Sequence, residues 1–485
     1  MASGILVPEN RNRNLPPGPR PWPIIGNLHQ LSIQDPWKTL TKWHEQYGPI
    51  IHFRVGSFPI IVIGSIKESH DLFDRRGRIY SSRPSLIYFK YLVRGLQPAL
   101  MPYDHEVKMH RQIYRSMLDQ AASKKYRPLL EIESSRMLYD MLLTDNHDLV
   151  LTRYPPRFTY RLTYGGEIKD WAKFDAIDDL TNAALKGLSL GGAAVDALPI
   201  LDRLPRFLSR WKTEADKYFE GSLAAFSSHA KEGLASKSET SNWARLIRQM
   251  KQAEGMSWEQ FCFTTGELYQ AGFVTSSFTI ASFLMAAISQ PAATRKTSDE
   301  LQAVVGPDRL PRFDDMPSLP YLQAFTKEIF RWRVIAPLGI PHVVSEDDEY
   351  NGYFIPANAT VIGNQFAINM DRNTFGDPET FRPERWLENP NLPFPAVFGF
   401  GRRICPGQYI GRDLLAITVA RLLWAFEIST PVDVSTIDTS KSALPGFGYK
   451  APLPELQYRV RSSRHEEAIR RTWLAAKDEG KKGSN

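Results

Sequence analysis

The chain has 485 residues, of which 42% are hydrophobic and 23% are charged. These fractions exclude an intrinsically disordered chain and are typical of a globular protein with a large core. Basic residues outnumber acidic ones by 60 to 53, but no basic run interleaved with aromatics predicts a nucleic-acid partner. Only two cysteines, Cys262 and Cys405, are present, which excludes a secreted disulfide framework and favours a reducing compartment.

The N-terminal segment, residues 1–23, ends in a stiff proline-rich strut. It has no apolar run long enough for a signal peptide or a spanning helix, so we expect no transmembrane anchor in it. Cap and turn signals then predict a helix over residues 36–47. Alternating apolar and polar residues over 50–63 predict a β-hairpin.

Residues 66–291 are predicted to be mostly helical, with a polar surface loop at residues 231–242. A capping-box pattern at Ser257 begins a helix that continues to Ser289, about 50 Å long at 1.5 Å per residue. Its uncharged part is apolar enough to resemble a membrane span, but several hydroxyl side chains favour a helix buried within the protein.

Strand-like patterns return over residues 342–368. No linker or fixed-period repeat interrupts the chain between residues 24 and 475. We therefore predict a mainly α fold with a minor β portion and a long central helix. The N-terminal segment (1–23) precedes one catalytic domain over residues 24–476, and residues 477–485 form a frayed tail.

The segment Phe398–Gly407, with the sequence FGFGRRICPG, carries the most information. Its glycines, including Gly399 and Gly407, let the backbone approach a flat ligand closely. Phe398 can pack against such a ligand, and Arg403 can pair with an anion. A predicted helix follows at once, and its free amides can stabilise a thiolate at Cys405. Taken alone, a cysteine in a loop is more often a small buried hydrophobe.

This segment resembles the haem-binding loop F-G-x-G-x-R-x-C-x-G of the cytochrome P-450 superfamily, and it matches at every specified position. The resemblance implies haem b, with Cys405 as the axial ligand of the iron and Arg403 at a haem propionate. Phe398, Gly399 and Gly407 would line the haem.

Other motifs follow in the order of the same family. Glu328 and Arg331 match its E-x-x-R pair, and Arg385 lies in its later meander, so the resemblance implies a buried structural triad of these three residues. It also makes His342 a propionate partner. Arg111 matches the arginine of the W-x-x-x-R motif, although Val107 stands at the tryptophan position.

The long predicted helix contains Ala271–Ser276, which aligns with the family motif A-G-x-[D/E]-T-T/S. Thr275 and Ser276 would then serve catalysis by holding a proton or a water near the bound oxygen. Val274 replaces the acid that normally assists proton delivery. This departure predicts slower oxygen activation, or a reaction that does not need the relay.

A second motif, G-x-S-x-G at residues 187–191, has the spacing of a serine-hydrolase nucleophile elbow. The elbow requires a strand before the serine, whereas the preceding residues predict a helix, so this interpretation is disfavoured. Two further alternatives stay open. One is an oxygen-independent haem-thiolate isomerase or dehydratase, and the other is a non-catalytic haem-binding relative.

The resemblance implies a monooxygenase that takes O2 and electrons from an NADPH-dependent flavoprotein reductase. Within the family it is nearest to fungal secondary-metabolite members of the O-methylsterigmatocystin oxidoreductase type. Apolar residues at 86–101, 334–340 and 444–449 indicate an apolar small-molecule substrate. We expect the protein on the cytoplasmic face of the cell's membranes, with peripheral contact to the endoplasmic reticulum.

Overall fold

The computed structural model describes residues 14–187, 194–236, 242–444, 446 and 448–482. The fold is mainly helical with a minor β portion, as the sequence predicts, and the β portion of the described residues forms three small sheets. The helices are α1 Pro36–Tyr47, α2 Ile66–Ser69, α3 Ile87–Val93, α4 His105–Leu118, α5 Gln120–Lys124, α6 Arg127–Met141, α7 His147–Tyr164, α8 Trp171–Gly187, α9 Ala194–Ala197, α10 Arg210–Ala235, α11 Trp243–Gln249, α12 Trp258–Ser289, α13 Pro291–Val305, α14 Pro320–Trp332, α15 Gln365–Asn369, α16 Arg372–Phe375, α17 Arg385–Glu388, α18 Gln408–Ala425 and α19 Ser463–Lys482.

Helix α12 is the central element of the helical core. Its first turn closes with a reciprocal capping box, in which the Gln260 amide donates to Ser257 Oγ (3.2 Å) and the Ser257 amide donates to Gln260 Oε1 (2.9 Å). The helix packs against α7, α10 and α18. It is long and apolar enough to cross a membrane, but most of it is buried within the protein. The predicted long central helix is therefore confirmed as a core helix.

The β portion is built mainly from one four-stranded sheet in the order β1-β2-β6-β3. Strands β1 and β2 form the predicted hairpin, β6 joins β2 in parallel, and β3 pairs antiparallel with β6. Two strand pairs, β4 with β5 and β7 with β8, complete the β structure. The strands are β1 Ile50–Val55, β2 Phe58–Ile63, β3 His342–Val343, β4 Asp348–Tyr350, β5 Tyr353–Ile355, β6 Thr360–Gly363, β7 Phe426–Ser429 and β8 Gln457–Val460.

The proline-rich strut lies against the edge of this sheet. The amide of His52 in β1 donates to the carbonyl of Pro17 (2.9 Å). Gly18 passes so close that a Cβ there would lie 1.8 Å from the carbonyl oxygen of His52. The strut is thus tied to β1 by both a hydrogen bond and close packing.

Three local features differ from the sequence expectations or fall outside the described residues. Helix α10 continues to Ala235, so the loop predicted over 231–242 starts later, and buried Asn242 caps α11 by accepting from the Arg245 amide. Helix α19 continues to Lys482, so most of the predicted frayed tail is helical. Of the G-x-S-x-G motif, only Gly187 at the end of α8 lies within the described residues.

Candidate active site

The Cys405 loop closes on itself immediately before α18. The Cys405 amide donates to the carbonyl of Phe398 (2.7 Å), which brings the two ends of the loop together. The Gly407 amide donates toward the Cys405 sulfur, and α18 starts one residue later at Gln408. The sulfur therefore lies at the N-terminal end of a long helix, where backbone amides stabilise negative charge.

The glycines of the loop are required by close backbone approach. Gly401 has a φ of +60°, and a Cβ there would lie 2.0 Å from the carbonyl oxygen of Phe73. Any side chain at this position would push the loop off its support. Phe400 stacks on the Phe73 ring with 6.0 Å between ring centroids, which fixes the loop against the helical segment His70–Arg75.

Cys405 is half-buried as a residue, and its thiol is surrounded by protein. Burial raises the pKa of Cys405, while the Gly407 amide, Arg111 and Arg412 act to lower it. Arg412 stacks on Phe394 at 3.6 Å, which makes it part of the loop's support as well as a cation near the sulfur.

The part of α12 around Thr275 also exposes surface inside the molecule. Ala271 and Thr275 are exposed although the helix around them is buried, so they line an interior cleft. The Thr275 hydroxyl donates to the Ala271 carbonyl (2.7 Å), and the half-buried Ser276 hydroxyl donates to the Gly272 carbonyl (2.6 Å). Val274 is buried with 8% exposure. Position 274 is thus apolar and largely withdrawn from the cleft.

Arg403 does not stand free but is held by three backbone carbonyls. It donates to Ser81 (2.8 Å), Pro98 (3.2 Å) and Met101 (2.6 Å). Burial and the neighbouring Arg111 lower the pKa of Arg403 to about 10, which still leaves it protonated at neutral pH.

Arg111, on α4, lies within electrostatic range of Cys405 and Arg403. Its guanidinium has no hydrogen bond or ion pair with the part of the chain that the structure describes. Burial lowers its pKa for the same reason as at Arg403. A largely buried cation without a protein partner is costly, and it is the kind of group that binds an anionic ligand.

His342 closes the same cluster from strand β3. Its Nδ1–H donates to the Tyr80 carbonyl (2.7 Å), and its ring packs on Phe73 with 4.7 Å between centroids. Burial, together with Arg83 and Arg403, holds the pKa of His342 well below its usual value. The imidazole is therefore neutral at neutral pH.

Two residues of this cluster were not anticipated from the sequence. Arg83 is buried and donates to the carbonyls of Ala99, Ile340 and Pro341. Glu267, on α12, is a buried acid within range of Arg83 and other guanidiniums. No sequence motif around Arg83 marks it as a site residue. A lone acid deep in an apolar helix, however, is itself a signal of a special environment.

Glu328, Arg331 and Arg385 meet in a separate buried network. Arg331 binds Glu328 through two hydrogen bonds of 2.6 and 2.9 Å, and Arg385 Nε lies 3.2 Å from the same carboxylate. The Arg382 amide and the Trp386 indole also donate to Glu328. Both charged partners of the E-x-x-R pair are 0% exposed, and every side of the carboxylate has a donor.

The segments predicted to contact a substrate are partly brought together. The Tyr449 amide donates to the Ile335 carbonyl (2.9 Å), which joins residues 334–340 to the segment 444–449, where residues 445 and 447 lie outside the described residues. Lys450 lies over the Phe278 ring of α12 at 5.7 Å. These two segments are therefore adjacent to each other and to α12, and residues 86–101 also reach α12, because the Ala99 amide donates to Glu267 (2.8 Å).

These residues fit a thiolate-bound haem. The sulfur has an amide donor and two nearby cations, and Phe398 stands next to it with Phe330 and Phe394 packed around its ring. Arg111 offers an unpaired charge for a propionate. A cysteine thiol beside a set of buried cations is what a thiolate-ligated macrocycle with two propionates requires.

Comparison with known proteins supports the same assignment. The family model described as Cytochrome P450 matches residues 16–457. The chain is 37% identical to the cytochrome P450 monooxygenase aneD of Aspergillus aculeatus, over 95% of this chain and 90% of that protein. It is 36% identical to the cytochrome P450 monooxygenase FrzL of a Cladobotryum species, over 96% and 92%. It is 37% identical to fumitremorgin C synthase of Neosartorya fischeri, over 96% and 91%.

Proposed function

The chain belongs to the cytochrome P450 family and is a haem-thiolate monooxygenase, and from this premise we propose that it oxidises an apolar secondary metabolite in a fungus. The observation that carries the proposal is the Cys405 sulfur, which lies at the N-terminal end of α18 with an amide donor and two cations nearby. Relatives similar over nearly the full chain include fumitremorgin C synthase, whose name denotes a biosynthetic enzyme.

We assign the haem-binding roles as follows. Cys405 would ligate the iron, Arg403 and Arg111 would hold the propionates with His342 beside them, and Phe398, Gly399 and Gly407 would line the haem on the side of the sulfur. The bound haem supplies oxygen activation, which the thiolate promotes by donating electron density. Because the neutral His342 already donates its Nδ1–H to the Tyr80 carbonyl, its Nε2 carries no proton and can only accept, so it would meet a propionate through a bridging water or a protonated carboxyl.

Thr275 and Ser276 are proposed to bind water in the cleft and to deliver protons through it. The Thr275 hydroxyl is accessible and needs only to rotate from the Ala271 carbonyl to bind a water. Because Val274 has no acidic group, these hydroxyls and the waters they order would carry the proton. This arrangement predicts that oxygen activation is less tightly coupled to product formation than with an acid at position 274.

The electron donor is proposed to be an NADPH-dependent flavoprotein reductase. Arg402 is exposed on the Cys405 loop, only three residues from the proposed iron ligand. An exposed cation so close to the metal is a suitable contact for an acidic redox protein.

Peripheral contact with the endoplasmic reticulum membrane is proposed from two exposed apolar segments. Large apolar side chains are solvent-exposed in residues 22–33 and again in residues 198–208. Single exposed apolar residues are ordinary, whereas such groups of them are typical of a binding surface. The most exposed members are Trp22, Ile24, Ile33, Ile200, Phe207 and Leu208.

The activity is tested by reconstituting the haem-loaded protein with a fungal NADPH-dependent reductase and a panel of apolar fungal metabolites under ¹⁸O2. We expect a product that carries one ¹⁸O atom and forms only when NADPH and reductase are present. Turnover without O2 or reductase would contradict the proposal and indicate an isomerase or dehydratase. Membrane contact is tested separately by sedimentation with phosphatidylcholine–phosphatidylserine vesicles, comparing the natural protein with Phe207→Ser.

A further inference from the structure

Glu267 is a buried acid for which the proposed reaction has no use. It lies on α12 one turn before Ala271 and two turns before Thr275, and residues spaced by four share a helix face. Its carboxylate accepts two hydrogen bonds, from the Tyr114 hydroxyl (2.8 Å) and the Ala99 amide (2.8 Å). Only 8% of Glu267 is exposed. Burying an acid here is costly unless nearby charges compensate for it.

Compensating charge reaches Glu267 from three separate parts of the fold. Arg83 comes from the segment before α3, Arg111 from α4, and Arg403 from the Cys405 loop. Each of these guanidiniums lies within electrostatic range of the Glu267 carboxyl. Tyr114, also on α4, is the other titratable group in contact with it, and burial keeps the pKa of Tyr114 well above its usual value.

The buried residues of this cluster carry an excess of positive charge until haem is included, and Asp104, which is also within range of Arg403, is exposed. Arg83, Arg111 and Arg403 carry three positive charges, and Glu267 carries one negative charge when ionised. His342 is neutral. Two propionates would supply the remaining two negative charges. We propose, building on the haem-binding function proposed above, that Glu267 is a counter-charge for the propionate-binding arginines and that its ionisation sets the reduction potential of the haem.

The ionisation of Glu267 falls within an accessible pH range. Burial raises the pKa of Glu267 to about 6, and the two hydrogen bonds and the guanidiniums limit the rise. Reduction adds one negative charge to the haem, which favours the protonated form of a nearby carboxyl. The reduction potential therefore rises as the pH falls through the pKa of Glu267, because the proton removes a negative charge that opposes the electron.

The test is spectroelectrochemical titration of the haem-loaded protein between pH 5 and 8, for the natural protein and for Glu267→Gln. We expect the natural potential to rise toward low pH. The variant should have a higher potential than the natural protein at pH 8, converge with it near pH 5, and lose most of the slope. Curves of potential against pH that coincide for the two proteins, or that differ by a constant offset with the same slope, would overturn the proposal. A purely structural role of Glu267 would leave the pH dependence of the potential unchanged.

Two further variants keep the test decisive. Glu133→Gln removes another fully buried acid, paired with Arg161 on the distant α6–α7 contact, and should leave the natural slope unchanged. If Glu267→Gln does not retain haem, Tyr114→Phe serves instead, because it removes one hydrogen-bond donor from the Glu267 carboxylate. The pH at which the reduction potential changes should then rise by about one pH unit. An unmoved transition in that variant would also overturn the proposal.

The carbon-monoxide spectrum recorded at each pH separates this proposal from the function on which it rests. A thiolate-type Soret band with a pH-independent potential rejects only the role of Glu267. Absence of that band in the natural protein rejects the haem-thiolate assignment itself.

Discussion

Two buried charge networks in this protein differ in whether the protein alone pairs all of their charged groups. Around Glu328, every side of the carboxylate accepts from a donor. Arg331 and Arg385 donate their other N–H groups to backbone carbonyls. Around Arg403, three guanidiniums and one acid leave an excess of positive charge, and Arg111 has no partner within the described residues. The first network is complete within the protein, whereas the second is incomplete without an anion.

The difference separates stability from ligand binding. A saturated buried network supports the fold, and removing one member leaves the others unpaired. An unsaturated cluster costs stability in the protein alone and recovers it when a ligand supplies the missing charge. Substitutions in the two networks should therefore fail in different ways.

The largest effect is expected for Glu328→Ala. The change leaves Arg331 and Arg385 buried without an acid, so we expect the free energy of unfolding to fall by about 3–5 kcal/mol and haem incorporation to be abolished. Haem content per chain and the thermal unfolding midpoint measure both effects. The matched control is Glu388→Ala, which breaks an exposed pair with Arg382 and should cost less than about 1 kcal/mol. Normal haem content in Glu328→Ala would refute the role of the network.

A smaller and different effect is expected for Arg111→Leu. Because Arg111 has no protein partner, its removal should not lower the stability of the polypeptide. It should weaken haem retention by roughly tenfold or more, the value of one charge-assisted hydrogen bond. The measurement is the rate of haem transfer to excess apomyoglobin. Lys108→Leu, an exposed cation on the same helix, is the control and should transfer haem at the natural rate.

The smallest effect on folding and haem is expected for Thr275→Ala. The haem spectrum should be unchanged, while product formed per NADPH oxidised should fall by about tenfold, because a proton donor or water site is lost from the cleft. Thr279→Ala is the control, since that buried hydroxyl makes the same kind of bond one turn later, to the Thr275 carbonyl. If the natural protein and Thr275→Ala form the same amount of product per NADPH oxidised, Thr275 has no role in the reaction.

Much of the fold was predictable because its signals are local. The capping box at Ser257, the hairpin over 50–63 and the helix after Gly407 depend on residues close in sequence, and the structure contains all three. The family motifs likewise located Cys405, Glu328 and their neighbours. The fold class and the long central helix followed from these local patterns.

The rest depends on contacts between distant segments, which no local pattern encodes. Arg83 is recognisable only because its guanidinium reaches the carbonyls of Ile340 and Pro341, far along the chain. Glu267 is marked in the sequence as an acid in an apolar helix, but its role follows only from Tyr114 and Ala99, which bind it. The uncharged part of α12 begins at Leu268, and Glu267 lies one residue before it, at its edge.

The haem-binding function depends most directly on the thiolate of Cys405, and the carbon-monoxide difference spectrum of the reduced protein tests that ligation. We predict the red-shifted Soret band of thiolate-ligated haem in the natural protein and its loss in Cys405→Ser. Cys262→Ser, which alters the other cysteine, buried in α12, should keep the band. A natural protein without the band, or a Cys405→Ser variant that retains it, would contradict the account.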